Sequence, residues 1–334
     1  MTEMLPIIWG GIIAFGIAMY VLMDGFDLGI GILFPFRKDE GDRDVMMNTV
    51  APIWDGNETW LVLGGAGLFG AFPLAYAVIL PALYLPLLVM LIALIFRGVA
   101  FEFRFRDERH RPGWSLSFIL GSVLATFAQG VALGAYVQGF EVSERAFSGG
   151  ALDWLTPFSL MTGAALVAGY ALLGATWLVM KTEGELHRWA RKAAERVLML
   201  VVAFMAVVSL WTPFLENDFQ QRWFSWPNIA ILSPVPLAVA AVSWGIFSGL
   251  RRGADWRPFV LSMALFLLGF LGLAISIWPN VIPPEISLQE AAAPPESQIF
   301  LLVGVVIVVP IILAYTAYTY WVFRGKVTED AGYH

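Results

Sequence analysis

The chain has 334 residues, of which 59% are hydrophobic and only 14% are charged, and its mean hydropathy is +0.73. Because soluble domains carry roughly a quarter charged residues, this composition excludes an ordinary soluble protein. The absence of cysteine excludes disulfides, thiolate-held zinc and cysteine-ligated iron–sulfur clusters. The net charge is −6, and the basic residues are scattered over several loops. Nothing in this distribution indicates nucleic-acid binding.

Nine segments are long and apolar enough to cross a bilayer, each with roughly 20 residues or more. They lie near residues 6–34, 52–72, 74–95, 114–136, 157–180, 197–215, 229–250, 258–278 and 299–323. In lipid such segments should be helical, because a helix satisfies its own backbone polar groups. We therefore predict an all-α membrane protein in which residues 1–334 form one integral-membrane domain.

Two further features of the spans bear on their structure. Pro81 and Pro86 lie inside the third span and predict a kink there. Aromatic residues near the span ends, such as Trp114, Tyr320 and Trp321, are typical of the lipid–water interface.

The basic residues predict the orientation in the membrane. With nine spans, 18 of the 20 lysines and arginines fall in the tail and in alternate loops on one side, and Arg145 and Arg222 fall on the other. Cytoplasmic loops are enriched in basic residues, so the amino terminus should be periplasmic and the carboxyl terminus cytoplasmic. An odd number of spans requires the same arrangement of the termini.

Four carboxylates lie inside the predicted spans: Asp24 and Asp27 in the first, Asp55 and Glu58 in the second. Each pair is three residues apart and therefore shares a helix face. If both spans meet the cytoplasmic surface near Phe34 and Pro52, the second pair lies about 5–9 Å deep and the first about 10–15 Å deep. The four form a series that begins at the cytoplasm.

Buried carboxyl groups of this kind can take up and release protons, so the series predicts a proton path. Two structural alternatives stay open. Asp55 and Glu58 would also suit the first turn of a helix opened by Pro52, where the helix dipole favours acids. Asp24 and Asp27 would also be satisfied by a buried basic partner such as Arg97.

The histidines, in contrast, lie outside the predicted spans: His110 and His187 in cytoplasmic loops, and His334 at the last position. The chain therefore offers no intramembrane histidine to a haem or a metal, and another chain would have to hold any haem. Gln129 is a lone intramembrane amide with two interpretations, contact with a quinone or a bridge between neighbouring helices, of which we favour the bridge.

Several sequence segments resemble a known family. Residues 24–31 read DGFDLGIG and residues 51–60 read APIWDGNETW. Residues 96–103 read FRGVAFEF, residues 184–187 read GELH, and residues 309–321 read VPIILAYTAYTYW. Together they resemble the signature segments of subunit II of the cytochrome bd-type quinol oxidases, over essentially the full length. The short loop between spans 6 and 7 is similar to that of the compact, cyanide-insensitive branch.

The resemblance implies a subunit of a terminal oxidase in the bacterial cytoplasmic membrane that takes electrons from quinol and reduces O₂ to water. It implies nine transmembrane helices, arranged as two four-helix bundles plus one peripheral helix. Asp24, Asp27, Trp54, Asp55 and Arg97 fall on the family's polar motifs, and Trp54 and Asp55 belong to the family's proposed proton route from the cytoplasm.

Two residues of the second motif remain. Glu58 completes the expected proton pathway, although some relatives have glutamine there. Asn57 is expected, with Arg97, to be a structural polar residue.

The resemblance also implies the cofactors and partners of the complex. Subunit I would hold two haem b groups and one haem d, or a third haem b in place of haem d, and this chain would supply no haem or metal ligand. The family allows a structural quinone and small single-helix accessory subunits, and lipids surround the complex. Two other functions remain open from the residues: a proton-coupled secondary transporter and a purely structural membrane subunit.

Overall fold

The computed structural model describes residues 2–215 and 217–328. Within them the α-helices are, in chain order, α1 (Leu5–Leu33), α2 (Glu40–Asn48), α3 (Trp54–Ala71), α4 (Pro73–Phe103), α5 (Arg111–Gln138), α6 (Pro157–Lys181), α7 (Gly184–Trp211), α8 (Asn217–Phe224), α9 (Asn228–Leu232), α10 (Pro234–Arg252), α11 (Arg257–Ile277), α12 (Leu288–Ala291) and α13 (Pro295–Val322). Short 3₁₀ helices lie at Thr2–Met4, Phe34–Phe36, Glu108–His110 and Thr212–Phe214. His334, which the sequence placed outside the spans, lies outside the described residues.

Two small antiparallel hairpins interrupt the helices. Strands β1 (Val142–Ser143) and β2 (Ala146–Phe147) lie between α5 and α6. Strands β3 (Asn280–Ile282) and β4 (Ile286–Ser287) lie between α11 and α12. Both belong to connections between long helices, so the fold is all-helical in its membrane part.

Eight helices in the described residues are long and apolar enough to cross a membrane. They are built on α1, α4, α5, α6, α7, α10, α11 and α13. The predicted second span forms α3, which is not among the eight and carries Asp55, Asn57 and Glu58 near its start.

Some boundaries differ from the prediction. The third span was predicted to end near Ile95, but α4 continues to Phe103 and runs unbroken through Pro81 and Pro86. The sixth span was predicted to begin near residue 197, but α7 begins at Gly184. The added part of α7 is amphipathic and buries residues four apart, Leu186, Ala190 and Ala194, a pattern that continues at Leu198.

The connections that carry most basic residues meet at one end of the helices, which we call the basic end. There Arg104 binds Asp44 at 2.6 Å, Lys326 binds Asp255 at 2.8 Å, and the guanidinium of Arg37 lies 5.6 Å from the ring centroid of Trp189. Arg97, which the sequence count placed in a loop, lies inside α4 and is fully buried.

Close helix contacts depend on glycine where α1 meets α6. A Cβ added to Gly29 would lie 2.0 Å from the carbonyl oxygen of Tyr170, and one added to Gly174 would lie 2.5 Å from the carbonyl carbon of Gly29. The backbones of α1 and α6 are therefore in direct contact there, and any larger residue would separate the two helices. This crossing and the packing of α5 on α6 join the first four long helices (α1, α3, α4, α5) to the next four (α6, α7, α10, α11). Helix α13 lies outside, against α3 and α1.

Candidate functional site

A buried ion pair links α1 to α4. Arg97 donates from Nη1 to Oδ1 of Asp24 at 2.6 Å, and both side chains are fully buried. The Nη2 of Arg97 reaches Glu58 of α3 at 3.3 Å, and 27% of that carboxylate side chain is exposed. The planar guanidinium, with donors on several sides, thus holds two acids from two helices.

Asp27 lies beside this pair but contacts a neutral group. Asn57 of α3 donates from Nδ2 to Oδ2 of Asp27 at 2.8 Å, and Asp27 is fully buried. Neither Oδ1 of Asp27 nor Oδ2 of Asp24 has a hydrogen-bond partner in the described part of the chain. Since a buried carboxylate without a cation is strongly disfavoured, Asp27 is suited to carry a proton or to contact water.

The oxygen of the Asn57 amide is also occupied. The hydroxyl of Tyr320, from α13, donates to Oδ1 of Asn57 at 2.9 Å. Sequence reasoning missed this residue, because Tyr320 lies near a span end and looks like an interfacial aromatic. In the structure the Tyr320 side chain is half-buried and contacts the site.

A second polar junction lies next to Asp24. Gln129 donates to the hydroxyl of Tyr20 at 2.7 Å and accepts from the hydroxyl of Tyr170 at 3.0 Å. Gln129 therefore bridges α5, α1 and α6, as predicted. Tyr20 and Tyr170 were not predicted, although the four-residue spacing of Tyr20 and Asp24 places them on one helix face.

The two remaining residues of the second motif occupy different environments. The indole of Trp54 lies 6.0 Å from the Arg97 guanidinium carbon and stacks on Phe101, with ring centroids 4.8 Å apart. Asp55, however, is exposed on the surface of the chain and forms no salt bridge within residues 2–215 and 217–328. The structure therefore gathers Asp24, Asp27 and Glu58 and leaves Asp55 outside the cluster.

A separate charged cluster fixes α2 at the basic end. Arg104 is buried, binds Glu40 and Asp44 at 2.8 and 2.6 Å, and donates to Ser115 at 3.0 Å. Burial lowers the pKa of Arg104, and its hydrogen bond to Asp44 opposes that shift. Sequence reasoning counted Arg104 only as a loop cation, because the acids of α2 look like solvated loop residues.

Neither of the two described histidines lies in the buried cluster. His187 lies in the first turn of α7, where Nδ1 is 3.0 Å from the Val179 carbonyl and Nε2 is 3.0 Å from Arg191. His110 is exposed beyond the end of α4. Within the described ranges, no group of three or more His, Cys, Asp or Glu side chains is arranged to hold a metal ion.

Comparison with known proteins gives a consistent result. A family model described as cytochrome bd terminal oxidase subunit II matches residues 5–323. The cytochrome bd-I ubiquinol oxidase subunit 2 of Escherichia coli (strain K12) is 30% identical, with 98% of this chain and 96% of the relative covered. The cytochrome bd ubiquinol oxidase subunit 2 of Bacillus subtilis (strain 168) is 25% identical, with 96% of each chain covered.

The fold has a solved counterpart. A chain in the structure of bd oxidase from Geobacillus thermodenitrificans superposes with a TM-score of 0.75 at 16% identity, covering 96% of this chain and 98% of that one. The expected multi-pass protein of the bacterial inner membrane is supported by the eight apolar helices and by these relatives. The chain thus belongs to the cytochrome bd terminal oxidase subunit II family, whose members are membrane subunits of a haem-containing respiratory oxidase and pair with a subunit I.

Proposed function

We propose that this chain is the haem-free subunit II of a quinol:O₂ oxidoreductase, where it stabilises subunit I and helps to deliver protons from the cytoplasm. The observation that carries the proposal is the buried cluster of Asp24, Asp27, Glu58 and Arg97. The three acids lie on the first two predicted spans, Asp24 and Asp27 on α1 and Glu58 on α3. The Escherichia coli relative is named a ubiquinol oxidase subunit, which supports quinol as the electron donor of the complex.

The proposal assigns different roles to the acids. Asp24 is the fixed counter-ion of Arg97, because their 2.6 Å contact is fully buried. Asp27 carries the proton, because its contact is the neutral amide of Asn57. Glu58 is partly exposed and reaches Arg97, so it connects the cluster to the surface, where Asp55 and Trp54 form the entrance.

We further propose nine transmembrane helices with a periplasmic amino terminus and a cytoplasmic carboxyl terminus. The meeting of the basic connections at one end supports this orientation. Two groups of four helices, with α13 outside them, support the plan of two bundles and a peripheral helix. Protons for O₂ reduction would be taken from the cytoplasm, and quinol would release its protons outside. This would separate charge across the membrane, and moving each charge against 100 mV stores about 2.3 kcal/mol.

The remaining parts of the complex are assigned to partners. Subunit I would hold the two haem b groups and the haem d, or a third haem b, and would bind O₂ and quinol. The chemistry that the haems supply is electron transfer and O₂ reduction. Single-helix accessory subunits, lipids and a structural quinone complete the proposed assembly, without an assigned site in this chain.

The direct test is the substitution Asp55→Asn in the assembled complex. We expect quinol-dependent O₂ consumption to fall, because the amide cannot pass a proton on, while the haem content stays normal. The exposed carboxylate Glu108 gives a matched control, and Glu108→Gln should leave turnover unchanged. Unchanged turnover of a fully assembled Asp55→Asn complex would remove the proton role.

A purely structural subunit is the second candidate, because the Asp24–Arg97 pair by itself explains why two charges persist inside the helices. Charge-neutral substitutions would then reduce assembly rather than turnover per haem. A proton-coupled transporter has less support. Among the described residues the buried acids are Asp24 and Asp27, and no corresponding pair occurs in the second group of helices.

A further inference from the structure

The end of α13 is fastened to the end of α6. Lys181 donates from Nζ to the carbonyl oxygens of Phe323 and Gly325, both at 2.5 Å, and the amide of Val327 donates to the Lys181 carbonyl at 2.8 Å. The Lys181 ammonium also lies 5.4 Å from the ring centroid of Trp177. We call these contacts the Lys181 clasp.

The clasp is informative because α13 is otherwise weakly held. Gln298, near its start, is its one buried residue among the described side chains. Tyr320 lies three residues before Phe323, packs against Trp177 with ring centroids 6.3 Å apart, and donates to Asn57. The clasp therefore fixes the part of α13 from which the Tyr320 hydroxyl enters the site.

The Tyr320 hydroxyl is one of three partners that set the orientation of the Asn57 amide, because Nδ2 also donates to Oδ2 of Asp27 and to the Met23 carbonyl oxygen, the latter at 3.3 Å. With Oδ1 accepting from Tyr320, Nδ2 faces Oδ2 of Asp27 at 2.8 Å. In the opposite orientation the amide would offer Asp27 no N–H donor, and it would lose the contact of Nδ2 with the Met23 carbonyl oxygen. The chosen orientation leaves Oδ1 of Asp27 unpartnered within the described residues.

We propose that Tyr320 is a positioning residue for Asp27, acting through Asn57 and held in place by the Lys181 clasp. Tyr320 itself neither gives nor takes the proton that Asp27 carries. It fixes the Asn57 amide, which donates to Oδ2 of Asp27, and Oδ1 of Asp27 thereby stays available for the proton. The expected effect of Tyr320 on turnover rests on the proposed proton function. The hydrogen-bonded arrangement of Tyr320, Asn57 and Asp27 does not depend on it.

The test compares Tyr320→Phe with Tyr318→Phe, a control on the same helix whose side chain is exposed. In the assembled oxidase, the infrared carboxyl band of Asp27 is first identified by its loss in Asp27→Asn. That band should shift in Tyr320→Phe and stay in place in Tyr318→Phe. Turnover should fall about fivefold, the effect of one hydrogen bond of ordinary strength, with a displaced pH profile. Lys181→Met, which opens the clasp but keeps Tyr320, should shift the same band.

Three results for the tyrosine variants would overturn the proposal. They are an unchanged Asp27 band in Tyr320→Phe, an equal shift in Tyr318→Phe, and failure of Tyr320→Phe alone to assemble, which would make the hydroxyl a structural contact. The absence of any band removed by Asp27→Asn would also overturn it. Failure of proton delivery itself would show differently, as unchanged turnover in Asp55→Asn while the Tyr320→Phe band shift persists.

Discussion

Arg97 shows how the helix interior accommodates several acids. Its guanidinium contacts Asp24 at 2.6 Å and Glu58 at 3.3 Å, with Trp54 6.0 Å away. Removing one partner of a buried ion pair leaves the other charge without compensation, which costs about 3–5 kcal/mol. The single cation therefore contributes both to stability and to the difference between Asp24 and Asp27.

This contribution is measurable. We expect Arg97→Met to lower the yield of assembled, haem-containing complex severely, and the double substitution Asp24→Asn with Arg97→Gln to recover part of it. Arg109→Met, at an exposed arginine of the neighbouring connection, serves as the control. If Arg97→Met assembled normally while the double variant did not, the ion pair would not stabilise the subunit.

At this scale the sequence predicted the composition of the site better than its geometry. Hydropathy identified Asp24, Asp27 and Glu58, because acids inside apolar spans are exceptional. It grouped Asp55 with them, because a three-residue spacing indicates a shared face but not which part of that face is buried. Tyr320 escaped detection because a tyrosine near a span end is usually interfacial.

Among the elements, α4 and α7 show where hydropathy misplaces helix ends. The apolar stretch of α4 stops before Arg97, but the helix continues because the buried acids satisfy that arginine. The first part of α7 is too polar to be recognised as a span, yet its residues 186–198 bury one face. Average hydropathy misses both, in α4 because Arg97 has a buried partner and in α7 because the buried apolar face is averaged with a polar one.

The crossing of α1 and α6 gives a prediction for stability. A Cβ at Gly29 would lie 2.0 Å from the Tyr170 carbonyl oxygen, so Gly29→Ala must separate two backbones. Overpacking costs about 1–3 kcal/mol, and we expect a lower melting temperature of the purified complex. Gly11→Ala on the same helix meets nothing within 4 Å and is the matched control. Equal melting temperatures for the two variants would show that the crossing is looser than described.

On the scale of the whole molecule, charge and connectivity agree. The loops that the sequence assigned to one side of the membrane contact one another at the basic end, through Arg104 with Asp44 and through Lys326 with Asp255. Alternation of helix direction along the chain brings these loops to one end, and the orientation of that end in the membrane stays a prediction. The short hairpins at 142–147 and 280–287 were not predicted, because such brief strands leave little periodic pattern.

We expect this chain to contribute proton-carrying groups from its cytoplasmic side. The most direct measurement uses the complex reconstituted in one orientation into vesicles, with a pH-sensitive dye in the compartment that faces the basic end. During quinol oxidation by O₂, we predict that protons disappear from that compartment, and that Asp27→Asn abolishes this uptake at normal haem content. Full uptake by the Asp27→Asn complex, or uptake from the opposite compartment, would contradict the account.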